Sequence, residues 1–207
     1  MTGPSPTMRD GVGAPTRVPP PASGGVDRPA AIAAVHRLLV ALGQDTADPQ
    51  LRDTPRRVVD ALEEMLTPPP FATTTFPDEV GYEGAVVVRD IPVQSLCAHH
   101  LLPFVGVAHV AYLPGARLVG LSKLARTVEA HARRLQVQEH LTVQVADWVM
   151  AELAPEGVAV VLEAEHLCMA MRGVRSRGTS TITTAVRGRV RDDPHLRTEV
   201  LALLAVR

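Results

Sequence analysis

The stretch Ser95-Leu-Cys-Ala-His-His-Leu-Leu-Pro-Phe104 contains one of the two cysteines of the chain, next to a pair of histidines. The second cysteine lies in Glu163-Ala-Glu-His-Leu-Cys-Met169 and again has a histidine close by. Cys97 and His100 have the short Cys-x-x-His spacing that lets two ligands from one turn reach a single ion. With Cys168 as a third ligand, the set is soft and tetrahedral and favours zinc.

Three protein ligands leave the fourth corner of a tetrahedron for water, as in catalytic rather than structural zinc sites. Zinc lowers the pKa of such a water to about 7, which supplies hydroxide at neutral pH. If the segment around Cys168 is a strand, His166 points to the same face and lies beside the ion without binding it. His166 is then a candidate proton donor, and His99, the neighbour of a ligand, is another.

Other interpretations of these residues stay open at this point. Cys97 and Cys168 could form a disulfide, although nothing marks the chain as secreted. They could also be two buried, unreactive thiols. His99 taken alone could be a core histidine with satisfied hydrogen bonds.

Bulk composition indicates an ordinary globular protein. The chain has 207 residues, 46% of them hydrophobic, and a formal net charge of −1. This length suits one sizeable core, and the balanced charge gives no general attraction to nucleic acid. No apolar run approaches the roughly 20 residues that span a membrane, and the N-terminus lacks the apolar core of a signal peptide. We therefore expect a cytoplasmic setting without a membrane or nucleic-acid partner.

The N-terminal third divides into a tail and a helical region. Residues 1–26 hold six prolines and five glycines, which predicts a disordered tail. Residues 27–70 predict two helices, the first capped by Asp27 and the second opened by Thr54-Pro55. Residues 71–207 predict a larger domain that holds both cysteines.

The larger domain predicts an α+β fold. Runs rich in β-branched residues predict strands at 85–93, 104–113, 158–164 and 179–186. Two helical patterns lie between the second and third strands, and one follows the fourth. Strands and helices are therefore grouped rather than alternating, which favours an antiparallel sheet with helices on one face.

Several cations predict a phosphate ligand. Ser122 is placed to cap a helix whose first turns carry Lys123 and Arg126, so amides and cations meet at a positive helix end. Arg57 lies with another arginine in the first turn of an earlier helix, where a cation opposes the dipole. The ordinary alternatives are a common helix cap and a solvated arginine pair.

Two further positions predict recognition of a nucleotide. Gln138 and Glu139 lie between two helices, and an amide with a carboxylate suits the hydrogen-bonding edge of a purine. The ordinary alternative is an exposed kink. Arg172 lies four residues after Cys168 and suits a polyanion bound near the metal.

These motifs resemble GTP cyclohydrolase I, the zinc enzyme that starts pterin synthesis. The resemblance covers about residues 29–206 and leaves only the tail. The matching strings are Cys-Ala-His-His-Leu-Leu-Pro-Phe from Cys97, Gly-Leu-Ser-Lys-Leu-Ala-Arg from Gly120, Arg-Arg-Leu-Gln-Val-Gln-Glu from Arg133, His-Leu-Cys-Met-Ala-Met-Arg-Gly-Val from His166 and, more loosely, Thr-Pro-Arg-Arg from Thr54.

The resemblance implies a tunnelling fold assembled into a toroid, typically a homodecamer with active sites at subunit interfaces. It implies that residues 71–207 are the catalytic domain. The implied reaction converts GTP to 7,8-dihydroneopterin triphosphate and formate, the first step of tetrahydrofolate and pterin biosynthesis.

The resemblance also assigns roles to individual residues. It implies zinc ligands at Cys97, His100 and Cys168, and an acid/base pair at His99 and His166. Glu139, with Gln138, resembles the guanine reader. Contacts to ribose and triphosphate are implied for Ser122, Lys123, Arg126, Arg172 and, from a neighbouring subunit, Arg57.

Three positions depart from the usual pattern of the family. Ala98 replaces a common Glu, His140 a common Arg, and Asp60 lies where some members carry a lysine near the phosphates. Asp60 repels phosphate if it points into the site. These changes leave two alternatives open: a non-catalytic, GTP-binding regulatory paralogue, or a paralogue feeding a specialised 7-deazapurine or pterin pathway.

Overall fold

The computed structural model of the chain describes residues 25–70 and 72–205. The predicted disordered segment, residues 1–26, lies outside this part of the chain except for its last two residues. No helix within the described ranges has the length and apolar character needed to cross a membrane.

Two helices precede the sheet, as the sequence predicts. The first, α1 (Arg28–Ala41), begins after Asp27, whose carboxylate accepts a hydrogen bond from the backbone N–H of Ala30 at 3.0 Å. The second, α2 (Thr54–Leu66), has Asp53 at its N-cap, one residue before the predicted cap, and this side chain makes no capping hydrogen bond. The two helices pack against each other and form a helical pair.

A five-stranded sheet forms the centre of the fold. The strands of the described chain are β1 (Thr75–Pro77), β2 (Val86–Cys97), β3 (Pro103–Leu113), β4 (Arg117–Val119), β5 (Leu135–Gln136), β6 (Gly157–His166) and β7 (Ser180–Gly188). The large sheet has the order β5-β2-β3-β6-β7, antiparallel except between β5 and β2, while β1 pairs with β4. The predicted α+β class and the four long predicted strands are confirmed.

Two long helices, α3 (Leu121–Ala132) and α4 (Gln138–Leu153), cover one face of the sheet. Successive side chains of a strand point to opposite faces, so every second residue enters the core beneath these helices. Phe104, Val110 and Val160 are fully buried there. This core fixes α4 against β6 and β7.

The opposite face is covered near one end by the last helix. After the short helices α5 (Leu167–Ala170) and α6 (Arg189–Asp192) the chain forms α7 (Pro194–Ala205). Its Val200 and Leu204 pack with Ala111 of β3 and Ala159 of β6 in a second buried cluster. The prediction that helices lie on one face is therefore correct for α3 and α4 and wrong for α7, because both faces of these strands are apolar here.

Several residues that the sequence predicts for the site lie at one end of the sheet. The strand register pairs Phe104 with His166 and Cys97 with Gln136. Because β2, β5 and β6 all finish at this end, Cys97, His166 and the start of α4 lie together.

Candidate metal centre and active site

Cys97 and His100 are held by a tight turn at the end of β2. The backbone carbonyl of Cys97 accepts hydrogen bonds from the N–H groups of His100 at 3.4 Å and Leu101 at 2.9 Å. Leu101 has φ +56°, in the left-handed region, and there the chain reverses into β3. The N–H of Ala98 donates to the carbonyl of Gln136 at 2.9 Å, so the turn is also tied to β5.

Cys97, His100 and Cys168 form a metal triad, in which one potential ligand atom from each residue lies within 4.8 Å of the other two. Nδ1 of His100 is 4.0 Å from Sγ of Cys97. Tetrahedral Zn–S and Zn–N bonds of about 2.3 Å and 2.0–2.1 Å place such atoms about 3.6–3.8 Å apart. The triad therefore fits one ion after small side-chain adjustments, and the predicted convergence is confirmed.

The chemistry of the two thiols also fits a soft dication. Cys97 and Cys168 are 6% and 9% exposed, and both are free, so the disulfide that the sequence left open is not formed. Burial raises the pKa of the Cys168 thiol, and the adjacent Cys97 raises it further. Two thiolates at this separation repel each other, and a coordinated cation offsets that repulsion while stabilising the deprotonated form.

Cys168 lies on the short helix α5 and not on a strand. β6 ends at His166, and the backbone turns helical from Leu167 onward. The expectation that His166 and Cys168 share one strand face is therefore wrong. The thiol reaches the triad from a helical turn, while the His166 ring stays at the sheet and stacks on Phe104, with ring centroids 4.7 Å apart.

The His166 imidazole is half-buried and hydrogen-bonded. Its Nε2 lies 2.7 Å from Oε1 of Gln138. Partial burial lowers the pKa of His166, and the negative charge of Glu139 opposes this effect. A lowered pKa keeps the ring neutral at pH 7, so that it can accept a proton.

His99 and Arg172 border the triad. Nδ1 of His99 is 3.8 Å from Sγ of Cys97, and its ring meets that of His100 edge to face. A guanidinium nitrogen of Arg172 lies 3.4 Å from Nε2 of His100. Arg172 lies just past the end of α5, two residues after Ala170.

Gln138 and Glu139 open α4 in the same region. Gln138 is 2% exposed, and its Nε2 donates to the carbonyls of Leu162 at 3.1 Å and Thr181 at 2.8 Å. Both polar ends of this side chain have partners within the chain, and its role as a purine reader stays a prediction. Glu139 is exposed, and its negative charge acts on His166. The role of Glu139 as a reader of guanine stays a prediction.

The remaining predicted residues form a separate phosphate set on α2 and α3: Arg57, Ser122, Lys123 and Arg126. α3 has Gly120 at its N-cap, not the predicted Ser122, and no side chain caps it. Arg126 lines a groove with Glu64 and Glu129. Within residues 25–70 and 72–205, no member of the phosphate set forms a hydrogen bond or ion pair with the metal triad or His166.

Asp60 is not an isolated negative charge on α2. Its carboxylate accepts a hydrogen bond from Arg28 of α1 and lies 2.9 Å from a guanidinium nitrogen of Arg56. The hydrogen bond from Arg28 lowers the pKa of Asp60. The neighbouring Arg57 pairs with Asp53 at 3.5 Å. Asp60 therefore joins α1 to α2 with its charge balanced, which weakens the expectation that it repels a phosphate.

Three supporting residues were not predicted as part of the site. Phe104 stacks on His166, and its place in the opening motif could have signalled this contact. Oγ1 of Thr183 is 3.2 Å from Nε2 of Gln138 and 2.6 Å from Oγ1 of Thr142. Thr183 lies 45 residues from Gln138 in sequence, so only the packing of α4 against β7 brings them together.

Known proteins are similar in sequence to most of this chain. Residues 31–205 match the protein family described as GTP cyclohydrolase I. GTP cyclohydrolase 1 of Streptomyces avermitilis is 51% identical over 191 residues, covering 89% of this chain and 94% of the relative. GTP cyclohydrolase 1 of Mycolicibacterium vanbaalenii is 51% identical over 187 residues, covering 86% and 91%. Among solved structures, the archaeosine synthase QueF-Like in its apo form matches with a TM-score of 0.44 and 18% identity over 52% of this chain and 96% of that chain, too weak a likeness to support a functional argument.

Proposed function

The chain belongs to the GTP cyclohydrolase I family, and from this premise we propose that it opens the guanine ring of GTP at a zinc site formed by the metal triad. It is a GTP cyclohydrolase I, which converts GTP to formate and 7,8-dihydroneopterin triphosphate at the start of tetrahydrofolate and pterin synthesis. The observation that carries the zinc proposal is the convergence of two thiols and one imidazole within 4.8 Å.

Cys97, His100 and Cys168 would hold the ion, and three protein ligands are the number found in catalytic rather than structural zinc sites. When bound, zinc supplies Lewis-acid activation of water, whose pKa it lowers to about 7. The hydrogen bonds of the turn after Cys97 hold His100 in place for this, because they link the turn to β3 and β5.

His99 and His166 are the proposed acid/base pair. Hydrolysis at the carbon between the two imidazole nitrogens of guanine needs a proton on a ring nitrogen as the ring opens. A second hydration releases formate, after which the ribose rearranges and closes on the freed amine. The half-buried His166 imidazole has one nitrogen hydrogen-bonded to Gln138, and a histidine ring can both accept and donate a proton in such steps.

Glu139 is the proposed reader of guanine, and the cations are the proposed triphosphate contacts. A carboxylate accepts hydrogen bonds from the N–H groups on the guanine edge. Arg172 lies beside His100, and the phosphate set adds further donors to a triphosphate with about four negative charges.

We propose that a second copy of the chain completes each active site. Among the described residues of one chain, the phosphate set forms no hydrogen bond or ion pair with the metal triad, which favours a neighbouring subunit that brings the two together. The sheet ends in β7 on one side and in the two-residue β5 on the other, which leaves strand edges for another copy. Head-to-tail pairing of unlike edges closes into a ring, in agreement with the toroidal homodecamer that the family implies.

A non-catalytic GTP-binding ring is the second candidate, and it predicts tight GTP binding without turnover. Asp60 no longer favours it, because its carboxylate is paired with Arg28 and Arg56. Ala98 still favours the regulatory candidate. The family commonly has Glu at this position, and side chains next to metal ligands tune the affinity of the site for the metal. A paralogue feeding a 7-deazapurine or specialised pterin pathway would begin with the same step on GTP.

We place the enzyme in the cytoplasm. Both cysteines are free thiols, which suits a reducing compartment. Fractionation of cells that produce the tagged chain tests this, and recovery in an extracellular or periplasmic fraction would contradict it.

Product identification from GTP tests the proposed reaction. We expect the zinc-loaded protein to release formate and a product with the mass of dihydroneopterin triphosphate, fluorescent after oxidation. Cys168→Ser should lose zinc and turnover, whereas the matched control Met171→Leu, an exposed neighbour, should keep both. GTP binding without product at any zinc level would favour the regulatory candidate and reject this one.

A further inference from the structure

The buried amide of Gln138 has a single possible orientation. Its Nε2 faces the carbonyl oxygens of Leu162 at 3.1 Å and Thr181 at 2.8 Å and the hydroxyl of Thr183 at 3.2 Å. Carbonyl oxygens only accept hydrogen bonds, so the nitrogen of the amide must point toward β6 and β7. The amide oxygen is then left facing His166.

This orientation determines which nitrogen of His166 carries a proton. Oε1 of Gln138 is 2.7 Å from Nε2 of His166, and an amide oxygen can only accept. Nε2 must therefore carry a hydrogen, and in the neutral ring the nitrogen without one is Nδ1. The stack on Phe104, with an interplanar angle of 15°, holds the plane of the ring.

Two threonines belong to the same hydrogen-bond network as Gln138. The hydroxyl of Thr142 lies 2.8 Å from the carbonyl of Gln138, to which it donates, and 2.6 Å from Oγ1 of Thr183. The single hydroxyl proton of Thr142 goes to that carbonyl, so Thr183 donates to Thr142. The two amide hydrogens of Gln138 are taken by the carbonyls of Leu162 and Thr181, so the amide cannot flip without breaking both of these hydrogen bonds.

We propose that Gln138 is a positioning residue, which holds His166 as the Nε2–H tautomer and leaves Nδ1 as the ring nitrogen open to substrate. The inference rests on the proposed acid/base role of His166. It replaces the expectation that Gln138 reads guanine, because a reading role would require the amide to leave its partners. A neutral amide oxygen accepts from Nε2–H whether Nδ1 is protonated or not, so the ring keeps one position through the reaction.

The test compares kinetics and tautomer in the zinc-loaded full chain. In Gln138→Met the side chain keeps its volume and loses its hydrogen bonds. We expect kcat to fall about 100-fold while KM for GTP changes less than about threefold, the size typical of one acid/base group. Solid-state ¹⁵N NMR of histidine-labelled protein, with His166 identified by its loss in His166→Gln, should show the single Nε2–H tautomer replaced by a mixture.

A matched control sharpens the comparison. Gln136→Met is the matched control, because Gln136 is also buried, at 4% exposure, but donates to the His131 carbonyl and Gln144. It should leave the His166 signals unchanged.

A raised KM with unchanged kcat in Gln138→Met, or an unchanged tautomer, would overturn the proposal. If Gln138→Met does not fold, the wild-type spectrum decides: a His166 ring protonated at Nδ1 and not at Nε2 would overturn the proposal. The NMR measurement of the His166 tautomer does not require turnover of GTP. A wild-type protein inactive on GTP would therefore count against the proposed function, while the NMR comparison would still decide the role of Gln138.

Discussion

Glu139 and Gln138 are adjacent in sequence but differ in what their side chains can reach. Gln138 is buried at the start of α4, whereas Glu139 is exposed and acts on His166 through its charge. Adjacent residues of a helix point about 100° apart, so only one of the two can enter the core. Gln138, the buried residue, supports the site through contacts within the chain. Glu139, the exposed residue, is placed to contact a ligand.

We expect Glu139→Gln to lower kcat/KM for GTP by about 10- to 150-fold, because a hydrogen bond to a charged group contributes about 1.5–3 kcal/mol. Steady-state turnover, with zinc content measured alongside, checks this. His140→Gln is the matched control, since His140 is the next exposed residue of the helix. An equal loss in both variants would argue against a specific role for Glu139.

At the scale of elements, the contact between α3 and α4 includes a buried histidine. His131 is 3% exposed, its Nδ1 lies 2.8 Å from the carbonyl of Thr127, and its ring meets that of Trp148 at 70°. Burial lowers the pKa of His131 below its ordinary value of 6.5. The folded chain therefore favours the neutral ring.

This burial predicts acid sensitivity of the fold. As the pH falls below about 6.5, the unfolded chain binds a proton at His131 and the folded chain does not, so the free energy of unfolding decreases until the folded pKa is passed. We expect the unfolding temperature of His131→Phe to depend less on pH between about 7 and 5.5 than that of the wild type. The exposed His195→Gln is the control. Equal pH dependence in wild type and His131→Phe would contradict the prediction.

The contact between β3 and β6 depends on a glycine. A Cβ at Gly106 would lie 1.9 Å from the backbone oxygen of Glu163 and 2.6 Å from Cα of Ala164. Because backbone atoms of a paired strand cannot move away individually, Gly106→Ala should destabilise the fold by about 3 kcal/mol or more. Chemical denaturation measures this. In the control, Gly120→Ala, the added Cβ meets its nearest atom at 3.6 Å, and a similar loss there would contradict the explanation.

The sequence predicted those elements whose signals are local. α1, α2 and the four long strands follow from apolar spacing and from caps such as Asp27. The two-residue strand β5 and the short helix α5 exist through tertiary contacts, so the position of Cys168 on a helix was missed. The metal triad was predicted because two of its ligands share one turn, whereas the role of Gln138 depends on acceptors from β6 and β7 that no local pattern encodes.

At the scale of the whole molecule, the proposed active site has two halves on one chain, and within the described residues no hydrogen bond or ion pair joins them. The metal triad, His166 and Glu139 lie at one end of the sheet, and the phosphate set lies on α2 and α3. The division into a tail, residues 27–70 and a catalytic domain from 71 stays a prediction. If subunits share sites, then defects in different halves should complement each other.

We expect two inactive variants to regain activity when they are co-expressed. Cys168→Ser damages the metal half, and Lys123→Ala combined with Arg126→Ala damages the phosphate half. In randomly mixed rings about a quarter of the sites would combine two intact halves. Tandem-tag purification followed by GTP turnover measures the recovery, and mixing Cys168→Ser with His100→Ala, both in the metal half, should recover none. Absence of recovery in the first mixture would place every contact within one subunit.

Zinc X-ray absorption on the purified protein tests the metal triad most directly. We expect a first shell with two sulfurs at about 2.3 Å and lighter atoms at about 2.0–2.1 Å, and a single sulfur in whatever zinc Cys168→Ser retains. A zinc shell of oxygen and nitrogen alone, or two sulfurs persisting in Cys168→Ser, would contradict the account.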